Sequence, residues 1–171
     1  MDKEPEIKMG SDKTKKSIAG KYLTFVLGNE GYGLEILKVK EINGLMDITA
    51  VPRTPEFIKG VINLRGLVIP VVNLRLKFGM PEINYSPETC IIVVNVNMDN
   101  EPVLMGIIVD TVSEVLDIVD KDIEPPPVFG SNIKTDYILG MGKSKTKVII
   151  LLDIDKVLNQ DELSLIKQIE K

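Results

Sequence analysis

Apolar positions in this chain come in short runs with a period close to two, broken every 8–12 residues by Gly, Pro, Asn or Asp. That pattern predicts many short β-strands. The first ordered run is Lys21–Leu27, followed by Gly28–Gly31 as a hairpin turn and a strand near Tyr32–Leu37. Pro52 and Pro55 punctuate the next loop. The segment from Gly60 to Arg75 holds two strongly apolar runs, read as strands over 60–64 and 67–72 and joined at Arg65-Gly66. Asn73 and Asp153 each follow an apolar run and are good N-caps, which predicts one or two helical turns after each. Leu163, Ile166 and Ile169 sit at helical spacing and predict an amphipathic C-terminal helix.

The second half repeats the order of the first. Gly33, Val39, Glu41 and Pro52 have counterparts 73 residues later in Gly106, Val112, Glu114 and Pro125. Farther on the offset is 80, matching Ile58-Lys59-Gly60 to Ile138-Leu139-Gly140 and the run Val68–Leu74 to Val148–Ile154. One seven-residue insertion in the loop between Pro125 and Ile138 reconciles the two offsets. The chain therefore reads as a tandem duplication of a small β unit, and units this small have thin cores that must pack together. The expected organisation is a disordered tail over 1–19, a double β unit over 20–158, and a helix over 159–171. The two subdomains divide near residues 20–85 and 86–158, with room to exchange terminal strands.

With 171 residues, 44% apolar and only 5% aromatic, the core has to be built from Val, Ile and Leu. A net charge of −4 argues against a nucleic-acid binder, and no apolar run is long enough to span a membrane. The N-terminus lacks the layout of a signal peptide. The single cysteine, Cys90, beside Ile91–Val94, reads as a buried thiol in a reducing compartment.

Catalytic chemistry finds little support. There is no histidine, no Gly-x-Ser-x-Gly elbow and no phosphate-binding Gly-Lys-Ser/Thr loop. Gly28, Gly31 and Gly33 precede a strand, so they read as hairpin glycines. Asp153 and Asp155 form a D-x-D that a cap and a solvated carboxylate already explain, and no metal is expected. Asp110 lies where an apolar strand meets a turn, but a phosphoacceptor would need a parallel sheet with intervening helices.

Two surface features remain. Arg65 stands at a strand–strand turn where Asn, Asp or Ser would fit better, so it is either a solvated turn residue or a charged fork presented for recognition. In Glu35–Ile42, an extended chain would place Glu35, Leu37, Val39 and Glu41 on one face and Ile36, Lys38, Lys40 and Ile42 on the other. Val39 is then either a core residue or part of a docking surface framed by charges.

The runs Tyr22–Phe25, Tyr32–Ile42, Thr54–Gly66, Val112–Leu116 and Ile138–Gly142 resemble the CheW family of bacterial chemotaxis coupling proteins over roughly residues 20–158. The resemblance implies a mainly β fold of two small five-stranded SH3-like barrels around a shared hydrophobic core. It also implies a non-enzymatic, cytoplasmic adaptor without a cofactor, recruited to membrane-attached receptor arrays. Its partners would be the cytoplasmic tip of methyl-accepting chemotaxis receptors and the regulatory domain of the histidine kinase CheA. By the same resemblance Ile36, Val39, Glu41, Gly60 and Arg65 match receptor-facing positions, and the kinase-facing residues are left unassigned. The competing class is a β-barrel regulatory domain that senses a small molecule in a pocket between the barrels. Few polar residues fall at the predicted core positions, which weighs against it.

Overall fold

A computed structural model describes residues 17–126 and 135–170, with only the backbone at Glu170. Strands β1 (Gly20–Leu27) and β2 (Glu30–Glu35) form a hairpin, and a 3-10 turn over Ile36–Lys38 leads to β3 (Val39–Gly44). A second hairpin, β4 (Ile58–Leu64) and β5 (Leu67–Asn73), runs into the short helix α1 (Leu74–Lys77). Then come β6 (Cys90–Met98), β7 (Glu101–Val109), β8 (Thr111–Ile118) and the two-residue β9 (Ile123–Glu124). The hairpin β10 (Ile138–Ser144) and β11 (Lys147–Leu152) leads into α2 (Ile154–Val157), and α3 (Gln160–Glu170) follows. Of the tail expected over 1–19, residues 1–16 lie outside the described residues, and Ser17, Ile18 and Ala19 precede β1 without regular structure.

The strands make two SH3-like barrels. The first has the order β3-β6-β7-β5-β4, and the second β8-β1-β2-β11-β10-β9. Neighbours are antiparallel except β5 with β7 and β2 with β11. The duplication seen in the sequence reappears in the register. Gly106 lies opposite Val71 in one barrel and Gly33 opposite Leu151 in the other. The register shift between Ile58 and Gly60 recurs between Ile138 and Gly140.

A cut near residue 85 does not separate these sheets. β1 and β2 join the second barrel, while β6 and β7 join the first, so each repeat lends its opening hairpin to the other. Parallel pairing explains the exchange. Strands joined by tight turns can pair only antiparallel, so β5 and β11 take their parallel neighbour from the other copy.

The exchange also explains the uninterrupted apolar run of β6. Ile91 and Val93 face the interior of the first barrel with Ile62, Ile69 and Val71. Ile92, Val94 and Val96 face the other sheet, in a shared cluster with Phe25, Leu34, Met105 and Leu152. Both faces are buried, so alternation disappears. Each such aliphatic side chain contributes about 1.5–3 kcal/mol by leaving water. Leu163 and Ile166 of α3 seal this cluster. The helix starts on a reciprocal cap, in which the Glu162 amide donates to Asn159 Oδ1 and the Asn159 amide to Glu162 Oε1, both at 2.8 Å. Cys90 is only half-buried, because it opens β6 at the sheet end; its thiol points at the Glu88 carbonyl, 3.2 Å away.

Tyr22 fills the interior of the second barrel and donates its hydroxyl to the Ile18 carbonyl at 2.6 Å. Burial, helped by the nearby Glu35 carboxylate, pushes the phenol up to about 12. An unfolded tyrosine titrates near 10. The raised value therefore gives stability that is complete below about pH 10 and is lost as pH rises toward about 12. Replacing Tyr22 with Phe removes this part of the alkaline loss, read as melting temperature against pH. An unchanged alkaline limb in the variant would refute the assignment.

Candidate functional site

Strands β4 and β5 turn at Arg65 and Gly66, both with positive φ, at 52° and 90°. This is the turn that matches strand twist in a two-residue hairpin loop. Glycine takes such an angle freely, but arginine does so against steric cost. The Asn63 side chain accepts from the Gly66 amide at 2.8 Å and holds the turn closed. A strained backbone therefore fixes Arg65 at the hairpin tip.

Its guanidinium hydrogen-bonds Glu41 on β3, closing the mouth of the first barrel. The arginine remains 70% exposed while the carboxylate is more sheltered. The hydrogen bond from Arg65 holds the Glu41 carboxyl below its ordinary range, with Asn43 also helping. The guanidinium is solvated, and it is also anchored in one direction. The pair offers a guanidinium edge to an incoming carboxylate or carbonyl.

The segment before Glu41 is not extended throughout. Ile36–Lys38 form a 3-10 turn, which breaks the alternation expected over Glu35–Ile42. A register shift against β6 between Val39 and Glu41 then resets the faces. Val39 and Glu41 end half-buried, with Lys40 and Ile42 outside. Ile36 and Val39 rest against the shared core. Leu37, at the apex of the turn, is 92% exposed. Strand alternation gave no signal for it, because only the 3-10 turn pushes it outward. Lys38 is tied to α2 by an ion pair with Asp155 at 2.7 Å, so the turn is clamped across the two repeats.

Gly60 is buried in β4, the strand that leads to the Arg65 turn. Its φ is +140°, and a Cβ placed there would lie 2.0 Å from the Thr49 carbonyl oxygen. The structure therefore brings Glu41 and Arg65 into contact, sets Ile36 and Val39 on the segment before Glu41, and places Gly60 inside β4 against the Thr49 main chain. Asp153 caps α2 and Asp155 binds Lys38, so both carboxylates of the D-x-D are engaged. Among the described residues no group of three or more acidic or cysteine side chains is placed to hold a metal ion. No helix among them is long and apolar enough to cross a membrane.

Asp110, the other acidic residue singled out, has a structural partner. Arg75 Nε and Nη2 bond its two oxygens at 2.8 and 2.7 Å, and the Gly28 amide donates to it at 2.8 Å. It joins the β1–β2 turn of the second barrel to α1, which extends from the first.

Comparison with known proteins gives the family. The CheW-like domain family matches residues 21–162. A chemotaxis protein CheW from Klebsiella aerogenes is 40% identical over 156 residues, which cover 91% of this chain and 92% of that protein. One from Treponema pallidum is 33% identical, covering 82% and 83% of the two chains. The crystal structure of the scaffolding protein TtCheW from Thermoanaerobacter tengcongensis superposes with a TM-score of 0.74 at 38% identity, over 85% of this chain and 97% of that one. With its strand-exchanged barrels and a match along most of its length, this chain belongs to the CheW family of chemotaxis proteins.

Proposed function

We propose that this protein is a non-enzymatic adaptor that couples methyl-accepting chemotaxis receptors to the histidine kinase CheA within membrane-attached arrays. The carrying observation is the hairpin tip. An arginine held at positive φ, braced by Glu41 and 70% exposed, suits recognition better than it suits stability. The receptor-facing surface consists of Arg65 and Glu41, with Ile36, Val39 and the exposed Leu37 beside them, and Gly60 supports it from within. The kinase's regulatory domain docks on a separate surface, so that both partners are held at once and weak contacts gain strength through multivalency.

Arg65→Glu places like charge against Glu41 at an exposed position. The variant folds, but receptor fragment no longer brings down kinase through it in a three-component pull-down. Arg65→Gly is the informative companion. It suits the left-handed turn, so it melts no lower than the parent protein while still failing to couple. If Arg65→Gly couples normally, the guanidinium is not a recognition group. If it unfolds, Arg65 is structural.

A further inference from the structure

The two barrels come from one duplicated unit, and their mouths are closed differently. In the first barrel Leu64 and Leu104 pack into the interior cluster and the Arg65–Glu41 pair bridges the opening. The equivalent positions in the second barrel are Ser144, Gly31 and Lys145 by register and Glu114 by the 73-residue offset. Two leucines are thus replaced by a hydroxyl and a hydrogen atom. Among the described residues Lys145 and Glu114 form no ion pair. A cleft of about 590 Å³ opens there, with Thr24 and Ser113 also on its wall.

One rim of the cleft is β8, an end strand of its sheet that pairs only with β1 among the described residues. Thr24 holds that pairing, since its hydroxyl donates to the Glu114 carbonyl and accepts from the Glu114 amide. Glu114 thus points its main chain toward β1 where the register shifts, and beyond that bulge the pairing is regular, so alternation directs the main chain of Val115 and Asp117 outward. The other rim is the β10–β11 turn with Lys145 and Lys147, both exposed. Val148 lines the opening and Val115 lies on β8, 49% exposed each.

We infer that this cleft receives an extended segment of a partner protein, which adds to the free edge of β8. The segment places one Leu- or Ile-sized side chain over Gly31 and an acidic side chain against Lys145 and Lys147. The internal copy supplies the template for that chemistry. The aliphatic plug and the mouth-closing ion pair that the first barrel builds from its own residues are supplied here from outside. Main-chain hydrogen bonds to an exposed edge give affinity, while the pocket and the lysines give selectivity. This site is separate from the Arg65 face and does not depend on its role.

The test uses the full chain and a fluorescein-labelled, acetylated octapeptide with Glu-Leu-Thr-Ile at its centre, followed by polarisation and amide NMR. The expected result is saturable binding that slows exchange of the Val115 and Asp117 amides. The double change Gly31→Leu and Ser144→Leu rebuilds the plug of the first barrel. At Gly31 the added Cβ meets only the flexible end of Ile149, so the variant folds. It should bind the peptide at least about tenfold more weakly, since one aliphatic contact corresponds to 10–200-fold. A peptide with Lys in place of Glu should also bind more weakly. Equal binding by the plugged variant, no protection at Val115 and Asp117, or no binding at all would overturn the proposal. So would self-association of the unmodified chain that plugging abolishes, because the occupant would then be a second copy.

Discussion

Gly60→Ala is expected to lower the melting temperature by about 6–12 °C, corresponding to about 3 kcal/mol at 2–4 °C per kcal/mol for a chain of this size. Two penalties coincide at this residue. Its φ of +140° disfavours any side chain, and the new Cβ would approach the Thr49 carbonyl oxygen to 2.0 Å and its carbon to 2.7 Å. The obstacle is main chain, so a rotamer change cannot relieve it. Thr49 cannot simply step aside, because its amide donates to the Val61 carbonyl at 2.8 Å and its carbonyl accepts from the Val61 amide at 2.9 Å. Those two bonds cover the outer edge of β4, which would otherwise be an open end of the first sheet. The repeat provides an internal control. At Gly140 an added Cβ meets the Glu124 carbonyl oxygen at 2.9 Å without a positive φ, so Gly140→Ala should cost less. Thermal and urea unfolding of both variants checks the ranking. Equal melting of Gly60→Ala and the parent protein would show that the Thr49 segment is not held as described.

For the proposed coupling role, the same geometry sets a second expectation. Gly60 lies five residues before Arg65 at the hairpin tip and is buried, so its effect on the Arg65 face runs through the position of β4. A variant that loses coupling through Gly60 should also lose stability, whereas Arg65→Gly should lose coupling alone. The two residues stand side by side in a sequence pattern, yet their physical roles differ.

Much of the fold was legible because it is written in repetition and strand periodicity. The offsets of 73 and 80 residues reappear as matched register, and the caps at Asn73 and Asp153 form where a polar residue follows each apolar run. Strand partners were not legible. Nothing in the local pattern of β1 and β2 says that they pair with β8 and β11, because long-range pairing depends on which faces complete a shared core. The candidate site was legible in part. Arg65 in a turn was visible as an anomaly, but its own positive φ and its bond to Glu41 were not, since 24 residues separate the pair. The exposed Leu37 was missed because a three-residue 3-10 turn looks like strand when read by alternation. The open mouth of the second barrel was hidden as well, since Gly31 and Ser144 become informative only beside their structural counterparts.

Asp110→Ala should destabilise the protein by about 2–4 kcal/mol, because it breaks a largely buried ion pair and leaves other groups unmatched. The Arg75 and Asp110 side chains are 12% and 19% exposed, too sheltered to behave as a surface pair and too open for the full cost of a dry core. Removing the carboxylate also strips the acceptor from the Gly28 amide, which caps the β1–β2 turn. Asp110→Asn keeps that acceptor and loses only the charge, so it should cost less. The double change Asp110→Leu with Arg75→Met should recover much of the loss, since it leaves no charge without its partner. Acid titration then separates charge from shape. Burial pushes the Asp110 carboxyl up, but the Arg75 guanidinium and the Gly28 amide outweigh it and hold the group below its ordinary range. A lowered carboxyl contributes stability that is complete above its unfolded value, about 4, and is lost as pH falls through the folded one. The stability gap between the parent protein and Asp110→Asn should therefore be constant near neutrality and close on acidification. A gap that persists unchanged to pH about 2 would mean that packing, rather than the ion pair, joins the barrels at this point.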